Sequence, residues 1–177
     1  GLASMERIDA ILNAENPIVD GEKGVEIPEM QEGIEYKNLT FSYDGERNVL
    51  KNINLKIQKG KTVALVGQSG SGKSTMVDLI PRYYDVEQGE ITIDGVNIKD
   101  IATEDLRRNI GIVSQDIYMF IGSIADNIRY ARPDATIDEV IRAARAACAH
   151  DFIIKLPDGY ETRVGAGGQG LSGGERQ

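Results

Sequence analysis

The sequence predicts a mixed α/β fold, and three patterns indicate it. The run TVALV at residues 62–66 is short, apolar and rich in β-branched residues, which is typical of a strand buried on both faces of a parallel sheet. Glycines follow this run directly, and a helical run comes after them. Residues 34–57 and 90–98 alternate apolar and polar residues around Asp-Gly turn signals, as antiparallel hairpins do. We therefore expect an α/β core with an antiparallel β subdomain.

The N-terminal part is expected to form a short helix and a linker. Apolar residues lie three and four positions apart in the opening segment and share one helix face: Leu2, Met5, Ile8 and Leu12. Such a face needs a packing partner. Residues 17–33 mix acids with proline and glycine and show neither helical nor strand periodicity. We therefore interpret them as a linker that ends near Gly33.

Residues after Gln115 predict a mostly helical insertion. Before them, IGIVS at residues 110–114 predicts a second buried strand. Thr136 and Glu139 form a capping-box pattern at the start of a helix. The apolar stripe of that helix is expected to contain Ile137, Val140, Ile141, Ala144 and Cys148.

Composition excludes several classes of protein. The chain has 177 residues, 41% of them hydrophobic and 27% charged, which is typical of one globular domain. A net charge of −8 argues against a nucleic-acid binder, because phosphate backbones require clustered Lys and Arg. The single cysteine, Cys148, cannot form an internal disulfide. No apolar run approaches the roughly 20 residues that span a bilayer.

The strongest chemical motif is GQSGSGKST at residues 67–75, which fits G-x-x-x-x-G-K-[ST]. Glycines let successive backbone N–H groups point at phosphate oxygens, and a helix that begins near Lys73 adds the positive end of its dipole. Lys73 would reach the β- and γ-phosphates, and the Ser74 hydroxyl would ligate Mg²⁺. A flexible Gly/Ser loop has the same composition. The apolar run before the motif and the helical run after it favour phosphate binding.

Further motifs resemble the nucleotide-binding domains of ABC (ATP-binding cassette) proteins over nearly all of residues 34–177. LSGGERQ at residues 171–177 is similar to their signature motif, usually LSGGQ, with Glu175 in the last place. VSQD at residues 113–116 resembles the Q-loop. YMFIGSIADNIRYA after the Q-loop, and GYETRVGAGGQGLSGGE before the end of the signature, resemble exporter-type transporters.

The resemblance implies a P-loop NTPase core of the ABC ATPase type, with an antiparallel β subdomain and an inserted α-helical subdomain, incomplete at the C-terminus. It also implies the domain organisation: a junction helix and linker from the end of a transmembrane domain in residues 1–33, and a partial nucleotide-binding domain in residues 34–177. The helical subdomain would cover about residues 116–177.

The ligands that the resemblance implies are ATP and Mg²⁺. The nucleotide contacts would be Tyr43, Gly67, Ser69, Gly70, Ser71, Gly72, Lys73, Ser74 and Thr75, with Ser172, Gly173 and Gly174 completing the site of a second domain. Lys73 and Gln115 would act in catalysis, and Ser74 and Gln115 at the metal. Tyr43, which would stack on adenine, could instead pack on the hairpin. Gln115 could be an ordinary amide at a strand end.

The resemblance implies an ATP hydrolase on the cytoplasmic face of a membrane, which drives export. Its partners would be a second nucleotide-binding domain packed head to tail, in a homodimer or heterodimer, and its own transmembrane domain. Two alternatives stay open: a soluble ABC protein that uses ATP as a clamp, and a binding-only domain with degenerate hydrolytic residues. Because no strand ending in Asp-Glu and no switch histidine follow the signature, we expect a truncated chain that is nearly inactive alone.

Several residues have plainer interpretations. Ala166 stands where exporters commonly have an acidic residue, which weakens the expected contact of this loop with a membrane domain. His150 is expected to pack or to face solvent, because no partner base or metal ligand is near it in sequence. Cys148 is expected in the core. Solvated helix faces are expected for Arg107, Arg108, Arg142 and Arg145.

Overall fold

The computed structural model describes residues 2–14, 16–20, 24–25, 29–114, 117–165 and 170–176, and of residues 2–4 only the backbone. The chain forms two compact units, Gly1–Gly111 and Ile112–Gln177. The first unit contains helices α1 (Leu2–Leu12), α2 (Lys73–Leu79) and α3 (Thr103–Arg108), and strands β1 (Gly33–Ser42), β2 (Asn48–Gln58), β3 (Gln88–Ile93) and β4 (Val96–Asn97).

An antiparallel sheet with the strand order β2-β1-β3-β4 is the framework of the first unit. Strands β1 and β2 are the hairpin that the sequence predicts. Strands β3 and β4 turn at Asp94 and Gly95, whose φ angles of 51° and 82° are those of a two-residue hairpin turn. The predicted antiparallel subdomain is confirmed.

Helix α2 packs on this sheet. The Tyr36 hydroxyl of β1 donates a hydrogen bond to the Met76 carbonyl of α2 at 2.9 Å, and burial raises the pKa of Tyr36, so the hydroxyl stays protonated. Leu79 of α2 is buried with apolar residues of the sheet and of the segment after it: Leu39, Phe41, Leu50, Val86, Ile91, Ile93, Ile98, Ile101 and Leu106. The sheet thus fixes the helix that follows the glycine-rich loop.

The two apolar runs that predict buried strands, residues 62–66 and 110–114, form no strand. Val66 is 90% exposed and Val113 is 76% exposed. A buried parallel strand is stable only when neighbouring strands pair with its edges and other elements cover its faces. Neither run belongs to a described strand or sheet. Val63 and Ile112 are also exposed, whereas Leu65 is half-buried and Ile110 packs partly against the core.

Helix α1 forms where the sequence predicts it. The side chains of Met5, Ile8 and Leu12 on its apolar face are all exposed, so this face is available for packing. None of the described helices has both the length and the hydropathy that crossing a membrane requires.

The predicted linker contacts the rest of the first unit at two places. Asp20 accepts a hydrogen bond from the Thr103 backbone N–H at 3.0 Å and forms an ion pair with Arg82 at 3.3 Å. Five residues later, the Val25 N–H donates to the Asp100 carbonyl at 2.7 Å. These contacts hold Asp20 and Val25 against the start of α3 and, through Arg82, against the segment that follows α2.

The second unit is mostly helical, as the sequence predicts. It contains β5 (Gly122–Ser123), α4 (Ile124–Arg129), α5 (Ile137–Ala146), α6 (His150–Ile153), a 3₁₀ turn (Gly159–Glu161), β6 (Arg163–Val164) and α7 (Gly173–Arg176). The capping box of α5 is confirmed: the Thr136 N–H donates to the Glu139 carboxylate at 2.9 Å, and the Glu139 N–H donates to the Thr136 hydroxyl at 3.4 Å.

The expected apolar stripe of α5 is only partly buried. Val140 and Ala144 are in the core, whereas Ile137 is exposed. The prediction for Cys148 is wrong: the helix ends at Ala146, and Cys148 lies two residues beyond it with a φ of 57°, in an exposed position. A left-handed residue just past a helix end turns the chain out of the helical stripe.

Candidate functional site

The glycine-rich loop, residues 67–72, leads directly into α2. Gly72 is the N-cap of this helix and is buried, with a left-handed φ of 86°. A Cβ at this position would lie 2.6 Å from Cδ2 of Leu50 on the hairpin. Gly70 also has a left-handed φ, of 79°. These two positions require glycine for backbone conformation, and Gly72 also for space.

The Lys73 ammonium lies against the loop that precedes it. Its Nζ donates to the carbonyl oxygens of Gly67 at 3.0 Å and Gln68 at 2.7 Å, with a longer bond to the Ser71 hydroxyl at 3.3 Å. The two carbonyl bonds hold the positive charge beside the loop. The third bond is the longest and therefore the weakest of the three.

The loop also offers backbone N–H groups. Within the described residues, its backbone bonds run from the Ser71 N–H to the Gln68 carbonyl and from the Met76 N–H to the Gly72 carbonyl. The first N–H groups of α2, from Lys73 to Thr75, have no backbone acceptor among the described residues. Such a set of free donors beside a fixed ammonium is suited to an anion.

The hydroxyls beside Lys73 differ in their surroundings. Ser74 is exposed, and no hydrogen bond within the described residues uses its hydroxyl. Thr75 is buried, and its Oγ1 lies 3.0 Å from the Tyr43 hydroxyl. Ser69 and Ser71 are exposed on the loop. The structure therefore brings Tyr43 to Thr75 of α2, although the two lie more than 30 residues apart in sequence.

Tyr43 follows the end of β1 and is 51% exposed. Its ring centroid lies 4.9 Å from that of Phe41 and 5.0 Å from that of Tyr84, in edge arrangements. The turn after Tyr43 is fixed by Asp44, whose carboxylate accepts hydrogen bonds from the Arg47 N–H, the Ser42 hydroxyl and the Glu46 N–H. These bonds lower the pKa of Asp44 to about 2.

Ser172, Gly173 and Gly174 lie in the second unit at the start of α7. The Ser172 N–H donates to the Glu175 carboxylate at 2.8 Å, and the Glu175 N–H donates to the Ser172 hydroxyl at 3.4 Å. Hydrogen bonds with the Ser172 side chain and backbone lower the pKa of Glu175. The acidic last residue of the motif thus caps its own helix and occupies the N–H of Ser172, one of the three residues that the resemblance assigns to the site of a second domain.

Two residues that the sequence singles out, Gln115 and Ala166, lie outside the described residues. The roles expected for them stay predictions. The packing role expected for His150 is confirmed by a contact of 2.9 Å between its Nδ1 and the Tyr160 hydroxyl.

The sequence does not reveal Tyr84 or the contacts of Arg107. Tyr84 follows α2 without any periodic pattern, so only the fold shows that it touches Tyr43. Arg107 is exposed on α3, as expected, but it also makes contacts that the sequence does not predict. Its guanidinium donates to the carbonyls of Pro81 and Arg82 at 2.9 Å and lies 5.4 Å from the Tyr83 ring centroid.

Comparisons with known proteins give the family. The sequence pattern of the ABC transporter family matches residues 50–177. The ATP-dependent lipid A-core flippase of Syntrophus aciditrophicus (strain SB) is 49% identical over 177 residues, which are 100% of this chain and 29% of the flippase. ABC transporter B family member 2 of Dictyostelium discoideum is 52% identical over 150 residues, which are 84% of this chain and 11% of that protein.

A solved structure of an ABC exporter is also similar to this chain. The structure of a bacterial Atm1-family ABC exporter with ATP bound superimposes with a TM-score of 0.90 and 37% sequence identity, covering 99% of this chain and 31% of that one. The chain thus spans less than a third of the length of each of these proteins. The expected family is confirmed: this chain belongs to the ABC transporter family and has the P-loop ATPase fold of its nucleotide-binding domains.

Proposed function

We propose that this chain is the ATP-binding domain of an ABC exporter, which couples ATP binding and hydrolysis to the export of a substrate across a membrane. The observation that carries the proposal is the glycine-rich loop, residues 67–72, which we call the phosphate loop. Free N–H groups and the Lys73 ammonium lie together where this loop leads into α2. The relatives are a lipid A-core flippase and exporters, which favours transport over the soluble clamp.

Lys73 would neutralise the β- and γ-phosphates of ATP. Its two carbonyl bonds, to Gly67 and Gln68, fix the ammonium before a nucleotide arrives, so little conformational entropy is lost on binding. Backbone N–H groups of the loop and of Lys73, Ser74 and Thr75 would bind the remaining phosphate oxygens. The residues Gly67, Ser69, Gly70, Ser71 and Gly72 act through their backbone, which only this loop conformation presents.

The donor set also fits Mg²⁺. The described residues contain no cluster of three or more His, Cys, Asp or Glu side chains that could hold a metal ion. Mg²⁺ in nucleotide sites commonly uses one or two protein oxygens, with substrate phosphates and waters as the other ligands. The Ser74 hydroxyl, exposed at the start of α2, is such an oxygen, and Gln115 is the second proposed ligand. When bound, Mg²⁺ would neutralise charge on the phosphates.

Tyr43 would stack on the adenine base. Its ring is half exposed and its hydroxyl is tied to Thr75 on the phosphate-loop helix. A base on this ring and phosphates on the loop would therefore be bound by one connected group of residues. Stacking on an aromatic ring contributes about 1–3 kcal/mol per base.

Hydrolysis and transport would require partners. Ser172, Gly173 and Gly174 would complete the ATP site of a second nucleotide-binding domain packed head to tail, in a homodimer or a heterodimer. Contact from the Ser172 N–H to a phosphate requires the Glu175 carboxylate to turn away first. Gln115 would position the attacking water, and closure of the two domains would be passed to a transmembrane domain of the same protein at the cytoplasmic face of the membrane.

The Lys73→Ala substitution tests the phosphate-binding role. It removes the ammonium but leaves the loop backbone, so the affinity for ATP should fall by about tenfold or more in a calorimetric titration. Lys61→Ala is the matched control, because Lys61 is an exposed lysine outside the loop. Equal ATP affinities for Lys73→Ala and Lys61→Ala would refute the assignment.

A further inference from the structure

We propose that Tyr84 is a positioning residue for recognition of the base, because it holds the Tyr43 ring in the orientation that stacks on adenine. The inference rests on the proposed function, since it requires that Tyr43 contacts the base. Tyr84 itself would not touch the nucleotide.

The Tyr43 ring depends on its neighbours for its orientation. Tyr43 lies one position past Ser42, where β1 ends, so the sheet no longer fixes the Tyr43 backbone on both sides. Two rings pack edge to face with it: Phe41 at 4.9 Å and 86°, and Tyr84 at 5.0 Å and 82°. Phe41 and Tyr84 also touch each other, with centroids 5.9 Å apart. The three rings contact one another pairwise, so Phe41 and Tyr84 both pack against the Tyr43 ring.

Tyr84 belongs to the same segment of chain as the phosphate loop. It lies shortly after α2, between two buried residues, Arg82 and Val86. Arg82 is fixed by Asp85 through bonds of 2.6 and 3.1 Å. Tyr84 is therefore held firmly in place relative to α2, although its own ring is 45% exposed.

The contact is one of ring against ring. Within the described residues, no hydrogen bond uses the Tyr84 hydroxyl, so only the aromatic edge acts on Tyr43. A hydrogen bond also holds Tyr43, because its hydroxyl lies 3.0 Å from Oγ1 of Thr75. Thr75 lies in the first turn of α2 and Tyr84 lies five residues past its end, so both contacts of Tyr43 come from this helix and the segment that follows it.

The test compares two ligands, ATP and tripolyphosphate, which carries phosphates but no base. Calorimetric titrations with Mg²⁺ use the 177-residue chain and the variants Tyr84→Leu, Tyr84→Phe and Tyr43→Ala. Tyr83→Leu is the matched control, because Tyr83 is 46% exposed but lies under Arg107 rather than beside Tyr43.

We expect Tyr84→Leu to weaken ATP binding by about 2- to 10-fold, the scale of one lost aromatic pair, with tripolyphosphate binding unchanged. Tyr84→Phe and Tyr83→Leu should bind both ligands like the unsubstituted chain. In a Tyr43→Ala background, Tyr84→Leu should cause no further loss, because the ring that it positions is gone.

Three outcomes overturn the inference. If Tyr43→Ala weakens ATP binding but Tyr84→Leu does not, Tyr84 has no role and the proposed function stands. If Tyr84→Leu weakens ATP and tripolyphosphate equally, Tyr84 acts on the loop and not on the base. If Tyr43→Ala leaves ATP binding unchanged, base stacking at Tyr43 is wrong, and the Lys73→Ala result still decides the phosphate site separately.

Discussion

The Gly72→Ala substitution tests how the phosphate loop is built against the hairpin. Alanine in the left-handed conformation, at a φ of 86°, costs about 1–2 kcal/mol. The added Cβ would lie 2.6 Å from Cδ2 of Leu50, which is 2% exposed and has little room to move. Overpacking of this kind costs about 1–3 kcal/mol. The free energy of unfolding should therefore fall by roughly 2–5 kcal/mol.

Gly70→Ala is the matched control for this prediction. Its φ of 79° is equally left-handed, but a Cβ there would meet no atom within 4 Å. Urea unfolding should thus show a loss of only about 1–2 kcal/mol for Gly70→Ala. Leu50→Val opens space beside Gly72. In this background, Gly72→Ala should therefore lower the free energy of unfolding by less than it does in the unsubstituted chain. Equal losses for the two glycine variants would refute the packing argument.

Three further predictions concern Tyr43, Arg82 and Asp44. Tyr43→Ala should weaken ATP binding by about 1–3 kcal/mol in calorimetry, and Tyr43→Phe by no more than about 1 kcal/mol for the lost hydroxyl bond; a larger loss with Phe would mean that the hydroxyl is the main contact. Arg82→Met should lower the free energy of unfolding by about 2–4 kcal/mol, because Asp85 loses its buried partner; an unchanged urea midpoint would contradict this. The Asp44 carboxyl should titrate by NMR near pH 2, so its support of the turn is complete above pH 3.8 and is lost as the pH falls from 3.8 to about 2; titration at 3.8 would contradict the hydrogen bonds.

Features that depend on short stretches of sequence are predicted correctly. The turn at Asp94 and Gly95 requires left-handed φ angles at both positions, and these residue types accept them. The capping box of α5 likewise needs only Thr136 and Glu139 at the right spacing. The left-handed glycines of residues 67–72 and the start of α2 at Lys73 likewise depend on a single stretch of chain, and the binding of phosphate there stays a prediction.

Features that depend on distant residues are not predicted correctly. Residues 62–66 have the composition of a buried strand, yet a strand also needs partners, and the described residues supply none. Cys148 fits the helical stripe by counting, but α5 ends before it. Tyr84 reaches Tyr43 only because α2 packs on the hairpin. The strand and the ring contact depend on tertiary partners, whereas Cys148 leaves the helical stripe because its own backbone is left-handed just past the helix end.

The signature segment shows a local interaction that the resemblance does not include. With Glu175 in place of the usual glutamine, a carboxylate caps α7 and accepts from the Ser172 N–H. The same carboxylate would repel a phosphate at this helix end. If a partner's nucleotide binds here, the negative charge of Glu175 therefore opposes its approach.

The most direct measurement is an amide NMR titration of the chain with ATP and Mg²⁺. We expect the largest chemical-shift changes at residues 67–75, with ring-proton shifts of Tyr43, and we expect Lys73→Ala to reduce them strongly at an ATP concentration near the Kd of the unsubstituted chain. Helix α5, which carries no proposed contact, should stay unshifted and serves as the internal reference. Shifts confined to α5 or spread evenly over the chain, or shifts at residues 67–75 that are undiminished in Lys73→Ala, would contradict the claim that this loop binds the phosphates of ATP.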